Sequence, residues 1–323
     1  MRDPEFWQHD GVIPKLLSPL SAVWRAGTCF RKLTTTPRHP GCPVFCIGNF
    51  TVGGAGKTPT AVALYNLLTN LGRTPHFVSR GYGGSLEGSH RVNPGVDTAD
   101  KVGDEPLLLA QHGPAWISRN RALGAEMAVD AGANAIILDD GLQNPSLIKD
   151  CSFAVIDSDY GIGNGRVMPA GPMREPLISG LEKVRAIILI GDKTPDFITR
   201  LPASVPVLRA SIEAINAGDF NQSRVLAFAG IGQPSKFYDS LRKAGAQIIQ
   251  TRDFADHHPF TVQELGDLRA EAARLDTRLV TTQKDLMRLP SKERDCISSL
   301  DIRLVFEAPD QLTKIVTSVL ADG

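Results

Sequence analysis

At 323 residues, with 35 lysines plus arginines balanced by 35 aspartates plus glutamates, the chain offers no bulk charge to hold a nucleic acid, and no nucleic-acid partner is expected. The length allows a large buried core and fits two domains better than one. The five cysteines, at 29, 42, 46, 151 and 296, are odd in number and show neither CxxC spacing nor Cys/His clustering. That excludes a zinc-site reading and marks them as reduced thiols of a cytoplasmic protein.

Met1 to Asp10 is charged and polar, so no signal peptide is expected, and no run of about 18 apolar residues free of charge predicts a membrane span. From Val12 to Lys32, Ile13, Leu16, Leu17, Leu20, Val23, Trp24 and Phe30 recur at helical spacing among Lys15, Arg25, Arg31 and Lys32. Pro14 and Pro19 are expected to break this stripe into short pieces, and its apolar face could cover either a bilayer surface or its own protein.

From Pro43 onward, short β-branched runs alternate with helical patterns, as in a parallel sheet flanked by helices. Val44 to Ile47, Phe77 to Ser79, Ala135 to Leu138, Phe153 to Ile156 and Ala186 to Ile190 read as strands; Thr60 to Asn70 and Ala122 to Ala131 read as helices. Asp192 to Ser223, rich in small, polar and proline residues, reads as a domain boundary. A second series follows: strands at Val225 to Ala229, Gln247 to Gln250, Arg278 to Thr281 and Leu304 to Phe306, helices near Ser235 to Ala244 and to Leu320, and one opened by the capping box Thr261-Val-Gln-Glu264. The expected organisation is an N-terminal helical segment over 1–40, a core over 41–222 and a smaller α/β domain over 223–323.

The strongest chemical signal is Thr51-Val52-Gly53-Gly54-Ala55-Gly56-Lys57-Thr58, after an apolar strand and before a helix whose first turn carries Pro59. Glycines there let backbone amides turn inward around a triphosphate, Lys57 can neutralise its outer phosphates, and the Thr58 hydroxyl can ligate Mg²⁺. ATP and Mg²⁺ are therefore the expected cofactors, and the fold class is α/β of the P-loop NTPase type. The loop opens on Thr51 where glycine is usual.

Ala135 to Leu138 runs straight into Asp139-Asp140-Gly141, which puts two carboxylates at the crevice end of a buried strand. Asp-Gly is ordinary turn chemistry, but adjacent carboxylates repel unless a cation or donors compensate, which favours Mg²⁺. Residue chemistry alone thus predicts phosphate transfer or hydrolysis and names no acceptor.

Ile47-Gly-Asn49 leading into the loop resembles the phosphate loop of the tetraacyldisaccharide 4′-kinase family, in which threonine at the first position is expected. Further matches follow in the family's order: Ser79-Arg-Gly-Tyr-Gly-Gly84, Val102-Gly-Asp-Glu-Pro106, Asp139-Asp-Gly-Leu-Gln143, Gly163-Asn-Gly-Arg166, Pro169-Ala-Gly-Pro-Met-Arg-Glu175, Phe228-Ala-Gly-Ile-Gly232, Asp256-His257-His258 and Thr281-Thr-Gln-Lys-Asp285. Pro4-Glu-Phe-Trp7 and Leu16-Leu-Ser-Pro-Leu20 are similar to the family's amino terminus, which docks on the inner membrane. The sequence departs from the pattern at Asn144, where histidine is frequent, and at Gln283, where glutamate is common.

The resemblance implies phosphorylation by ATP of the 4′-hydroxyl of a tetraacylated glucosamine disaccharide 1-phosphate, a step of lipid A synthesis at the cytoplasmic face of the bacterial inner membrane, by a peripheral monomer. Carried over by motif, Asp104 is the expected base, with His257 tuning it and Asp256 orienting His257. Arg80, Glu105, Arg121 and Arg174 are expected contacts to substrate or phosphate, and Glu175 joins Thr58, Asp139 and Asp140 as a candidate metal ligand. Lys284 and Asp285 either close over the nucleotide or pair with each other. The alternative class is a regulatory or chaperone-type P-loop NTPase; its dimer-activated members carry a lysine early in the loop, where this chain has Val52.

Overall fold

The computed structural model describes residues 4–322, so the first three residues of the polar Met1 to Asp10 stretch fall outside it. Its strands are β1 (Val44–Gly48), β2 (Pro75–Ser79), β3 (His90–Arg91), β4 (Ala115–Ile117), β5 (Ala135–Asp139), β6 (Cys151–Asp157), β7 (Ala186–Ile190), β8 (Val207–Ala214), β9 (Arg224–Ala229), β10 (Gln247–Asp253), β11 (Arg278–Thr282), β12 (Ser298–Leu300) and β13 (Ile302–Phe306). The α-helices are α1 (Val12–Thr34), α2 (Lys57–Asn70), α3 (Ala99–Val102), α4 (Asp104–Leu109), α5 (Arg121–Asp130), α6 (Leu177–Leu181), α7 (Pro234–Lys243), α8 (Val262–Leu275), α9 (Gln283–Arg288), α10 (Ser291–Arg294) and α11 (Pro309–Asp322).

Strand β1 lies inside a nine-stranded sheet of order β13-β8-β7-β6-β1-β5-β2-β4-β3, parallel except where β13 meets β8 and β3 meets β4. Strands β1, β2, β5 and β6 at its centre are buried at every position because both faces are covered. Phe45, Ile47, Phe77, Ile137 and Phe153 pack with Leu64 and Leu68 of α2 on one face. Their neighbours Val44, Cys46, Val78, Ile136 and Ala154 pack with Ala122, Ala125 and Ala128 of α5 on the other. The carboxyl ends of β1, β5 and β6 open on a common crevice.

A second, all-parallel sheet has the order β10-β9-β11-β12. Phe237 and Leu241 of α7 cover one face and Leu265 and Leu268 of α8 the other. The capping box that opens α8 forms as expected: Thr261 Oγ1 accepts from the Glu264 amide at 3.2 Å while Glu264 Oε2 accepts from the Thr261 amide at 2.8 Å.

Three sequence expectations are corrected. Helix α1 is unbroken, because Pro14 falls in its first turn, where an amide has no intrahelical partner, and Pro19 lies on its exposed side. The stretch from Asp192 to Ser223 is not merely a linker, since it contains β8, which pairs with β7 on one side and β13 on the other. The smaller unit is also narrower than 223–323: β13 returns to the large sheet, and Leu312 and Val316 of α11 join the large core.

Candidate active site

The phosphate loop connects β1 to α2. Gly53 and Gly56 adopt φ of 107° and 86°, backbone positions that side-chain-bearing residues avoid. The Pro169–Glu175 segment fixes the start of the loop, with the Val52 amide donating to Pro172 O at 3.0 Å and the Arg174 amide donating to Phe50 O at 2.8 Å. Buried Lys57 folds back across the loop, its Nζ 3.5 Å from Gly53 O and 3.9 Å from Asp140 Oδ1.

Asp139 and Asp140 are neighbours in sequence with opposite circumstances. Asp139, the last residue of β5, is 1% exposed, and neither of its carboxylate oxygens has a hydrogen-bond partner. Burial first, then the negative charges of Glu105 and Asp140, push its pKa up to about 7. Asp140 turns at φ 50°, and its carboxylate accepts from both terminal nitrogens of Arg174, at 2.9 and 3.2 Å. Although burial opposes ionisation there, Lys57 and Arg174 hold its pKa below the usual carboxylate value.

Glu175 accepts from Gln143 Nε2 at 3.1 Å and pairs with Lys183, so it is engaged away from the acidic pair. No cluster of three or more His, Cys, Asp or Glu side chains surrounds a metal position among the described residues. Mg²⁺ needs none, since it keeps several waters and takes one or two carboxylates beside phosphate oxygens. The two orphaned oxygens of Asp139, with the Thr58 hydroxyl at the start of α2, suit that donor set.

Across the crevice, the two sheets' units meet at Asp104. Gly103, at φ 91°, turns the chain so that Asp104 opens α4. His257 Nδ1 faces Asp104 Oδ2 at 3.1 Å, and Lys284 Nζ lies 3.0 Å from Glu105 Oε1 and 3.8 Å from Asp104 Oδ2. Burial would raise the Asp104 pKa, but the His257 hydrogen bond and the Lys284 and Arg288 charges outweigh it and hold the carboxyl well below the usual range. His257 sits at φ 59°, with its amide donating to Gly230 O at 3.0 Å and its ring edge-on to Tyr82 at 5.8 Å. Its Nε2 lies 3.5 Å from Lys284 Nζ, and its Nδ1 lies 3.4 Å from Arg288 Nη2 as well as facing Asp104. Asp256 Oδ1 is 3.9 Å from Nε2, beyond hydrogen-bond reach.

Lys284 pairs with Glu105, while Asp285 is fully buried and accepts from the Gly230 amide at 3.1 Å and Thr282 Oγ1 at 2.8 Å. The two thus do not pair with each other in the pattern of contacts seen here. Arg121 is buried against the Ser118 and Arg119 carbonyls with its Nε unpartnered, and burial, reinforced by Arg80, lowers its pKa to about 10. Of the positions that depart from the family pattern, Asn144 Oδ1 accepts from the Ser146 amide at 2.9 Å in a turn, and Gln283 Oε1 accepts from the Ile302 amide at 3.3 Å where the chain re-enters the large sheet.

Sequence reasoning missed Arg288 and Lys236. Arg288 ends α9 and reaches Asp104; its signal was its place one helical turn after Asp285, which aims both side chains alike. Lys236 of α7 donates to Asp157 Oδ1 at 2.6 Å and pairs with Asp159 at 2.9 Å, a second link between the units that no local motif announces. A cleft of about 1640 Å³ joins these parts, running from Trp24 and Arg31 of α1 past the phosphate loop, Arg80 and Arg121 to His257. That exceeds the usual single-ligand pocket and leaves room for two substrates.

A phosphate loop beside an unpartnered buried carboxylate, faced by a second carboxylate that the smaller unit surrounds with cations, defines a P-loop phosphotransferase. The family model described as tetraacyldisaccharide-1-P 4′-kinase matches residues 13–321, and the chain belongs to that family. It is 45% identical over 328 residues to the tetraacyldisaccharide 4′-kinase of Rhodospirillum centenum, covering 99% of this chain and 97% of that one. With the enzyme of the same name from Methylobacterium radiotolerans it shares 46% over 325 residues, 99% of each chain. The crystal structure of LpxK from Aquifex aeolicus in complex with ATP superposes with a TM-score of 0.76 at 25% identity, covering 95% of this chain and 99% of that one.

Proposed function

We propose that this chain transfers the γ-phosphate of ATP to the 4′-hydroxyl of tetraacyldisaccharide 1-phosphate, with Asp104 as the proton acceptor. The observation that carries the reading is His257 on the wall of the same cleft that holds the phosphate loop, with Asp104 buried directly behind it, its Oδ2 3.1 Å from His257 Nδ1. Phosphoryl transfer asks a protein chiefly for alignment and charge neutralisation. The amides of Val52 to Thr58 cradle the triphosphate, and Lys57, drawn from Asp140, meets its outer oxygens. Thr58 and Asp139 would hold Mg²⁺, which when bound neutralises charge on the β- and γ-phosphates. Asp140 stays with Arg174, whose guanidinium it orients, and Glu175 braces that segment through Gln143.

As the sugar oxygen attacks, its proton passes to Asp104, which His257 orients through Nδ1–H. Arg80 and Arg121 supply charge for phosphate oxygens on the acceptor side, and Glu105 keeps Lys284 beside the reacting groups. Helix α1 docks on the cytoplasmic face of the inner membrane. It leaves Val12, Leu16, Val23, Phe30 and Leu33 exposed, while Ser21 and Trp24 bond it to the core through Val167 O at 2.7 Å and Arg174 O at 3.2 Å. Among the described residues no helix is long and apolar enough to cross a membrane. We infer a monomer acting at that surface.

The test is transfer of labelled γ-phosphate to tetraacyldisaccharide 1-phosphate in detergent by wild type, Asp104→Ala and Lys57→Ala. Labelled lipid made by wild type and lost in both variants supports the reading. ATP hydrolysis without lipid and with no labelled product points instead to an NTPase that has no small-molecule acceptor.

A further inference from the structure

Asp104 meets more cationic donors than orientation by His257 requires. Its Oδ2 accepts from Arg288 Nε at 2.7 Å and from Arg288 Nη2 while also facing His257 Nδ1, whereas Oδ1 accepts from the Glu105 amide at 3.0 Å. Arg288 is itself immobilised, since Nη1 donates to Gly230 O at 2.7 Å and to Asp285 Oδ1 at 2.6 Å. Gly230, Thr282 and Asp285 therefore present a fixed guanidinium fork from the smaller unit to the first residue of α4. Both ends are shielded from water, the Arg288 side chain at 5% and that of Asp104 at 4% exposure. A rotatable lysine cannot reproduce the planar geometry of such a fork.

We propose that Arg288 is a positioning residue of the transfer step, holding Oδ2 of Asp104 against the smaller unit so that Oδ1 is the oxygen left to receive the sugar proton. The proposal rests on Asp104 being the base. In the step, the sugar O–H bond breaks and its proton moves to Oδ1, a bond forms from the sugar oxygen to the γ-phosphorus, and ADP leaves with the electron pair of the broken P–O bond. Arg288 keeps its own protons throughout. It also binds the base to correct seating of the smaller unit, because the fork aligns only when α9 lies against α4.

The charged and titratable groups facing Asp104 are Arg288 and Lys284 of α9, His257 of the loop between β10 and α8, and Glu105 of α4, with Asp285 behind Arg288. Removing Arg288 takes away one of three stabilisers of the ionised carboxylate and leaves burial in place, so the Asp104 pKa rises. The acidic limb of the kcat/KM profile then moves to higher pH.

The experiment measures lipid phosphorylation against pH for wild type, Arg288→Ala, Arg288→Lys and Asp104→Ala, with thermal unfolding of each. Arg288→Ala is expected to lose about 100-fold in kcat with the KM for ATP nearly unchanged, and to shift the acidic limb upward by about one pH unit or more. Arg288→Lys, keeping charge without the fork, should return the limb toward its wild-type position while kcat stays low. Should Arg288→Ala fail to fold, the Lys variant decides: wild-type kcat there overturns the proposal. A limb that stays in place in Arg288→Ala, with kcat and stability falling together, reduces Arg288 to a structural tie and also overturns it. If Asp104→Ala keeps wild-type turnover, the base assignment itself fails; if that variant is dead and the Arg288 limb is unmoved, only the positioning role fails.

Discussion

Asp139→Asn should make the ligand-free protein more stable while disabling the enzyme. The carboxyl's pKa rises from 3.8 to about 7 on folding, so the folded state favours the neutral acid. Its contribution to stability is full below about pH 4 and lost as pH rises through about 7; above that the molecule carries an ionised carboxylate with no partner. About three pKa units at about 1.4 kcal/mol each set a ceiling near 4 kcal/mol on what removing the charge returns. The amide left behind has unpartnered donors of its own, costing about 1–3 kcal/mol, so the net gain at pH 8 is at most about 1–3 kcal/mol. At about 2–4 °C per kcal/mol, the variant melts roughly 2–12 °C above wild type at pH 8 and no higher than wild type at pH 5. Circular dichroism melts at both pH values read the effect, and adding ATP with Mg²⁺ should raise the wild-type midpoint more than the variant's. A variant that melts below wild type at both pH values would refute the argument, because it would mean that Asp139 is satisfied in the free protein.

Replacing Leu16 and Leu20 by glutamate puts charge on the exposed face of α1; co-sedimentation with anionic vesicles should fall at least tenfold while phosphorylation of detergent-dispersed lipid persists, and unchanged sedimentation would remove α1 from membrane docking. Gly103→Ala places a Cβ 2.5 Å from Tyr82 O at a backbone position that only glycine tolerates, at a cost of about 1–3 kcal/mol. Since Asp104 follows directly, kcat should fall more than tenfold with a smaller change in the KM for ATP, and a stable variant with normal kcat would show that the turn does not set the base.

What the sequence revealed and what it hid follow from where the physics is local. Ala186 to Ile190 could be read as a strand because burial on both faces demands an apolar residue at each position, and β7 has those bounds. In β8 the pattern is diluted, since Arg209, Ser211 and Glu213 alternate with apolar neighbours between proline and polar flanks; only pairing with β7 and the distant β13 makes it a strand. The phosphate loop was legible because its glycines answer a local backbone demand. Asp139 and Asp140 read as one acidic pair, and what separates them is the positive φ at Asp140, which sends one carboxylate to Arg174 and leaves the other unpartnered.

The reading of Asp104 and His257 came through resemblance, because each alone looks like a turn residue, and their meaning depends on a contact across 153 positions of chain. Arg288 shows the same limit more sharply: it had no motif of its own to carry it, and its partner lies 184 residues away. A chain can mark local devices such as glycine turns and caps wherever they occur, but a base held between two units is defined only by how those units meet. Site residues missed from sequence are therefore to be sought along that junction, where Arg288 meets the recognised motif at Asp104 and Lys236 meets Asp157 outside any motif.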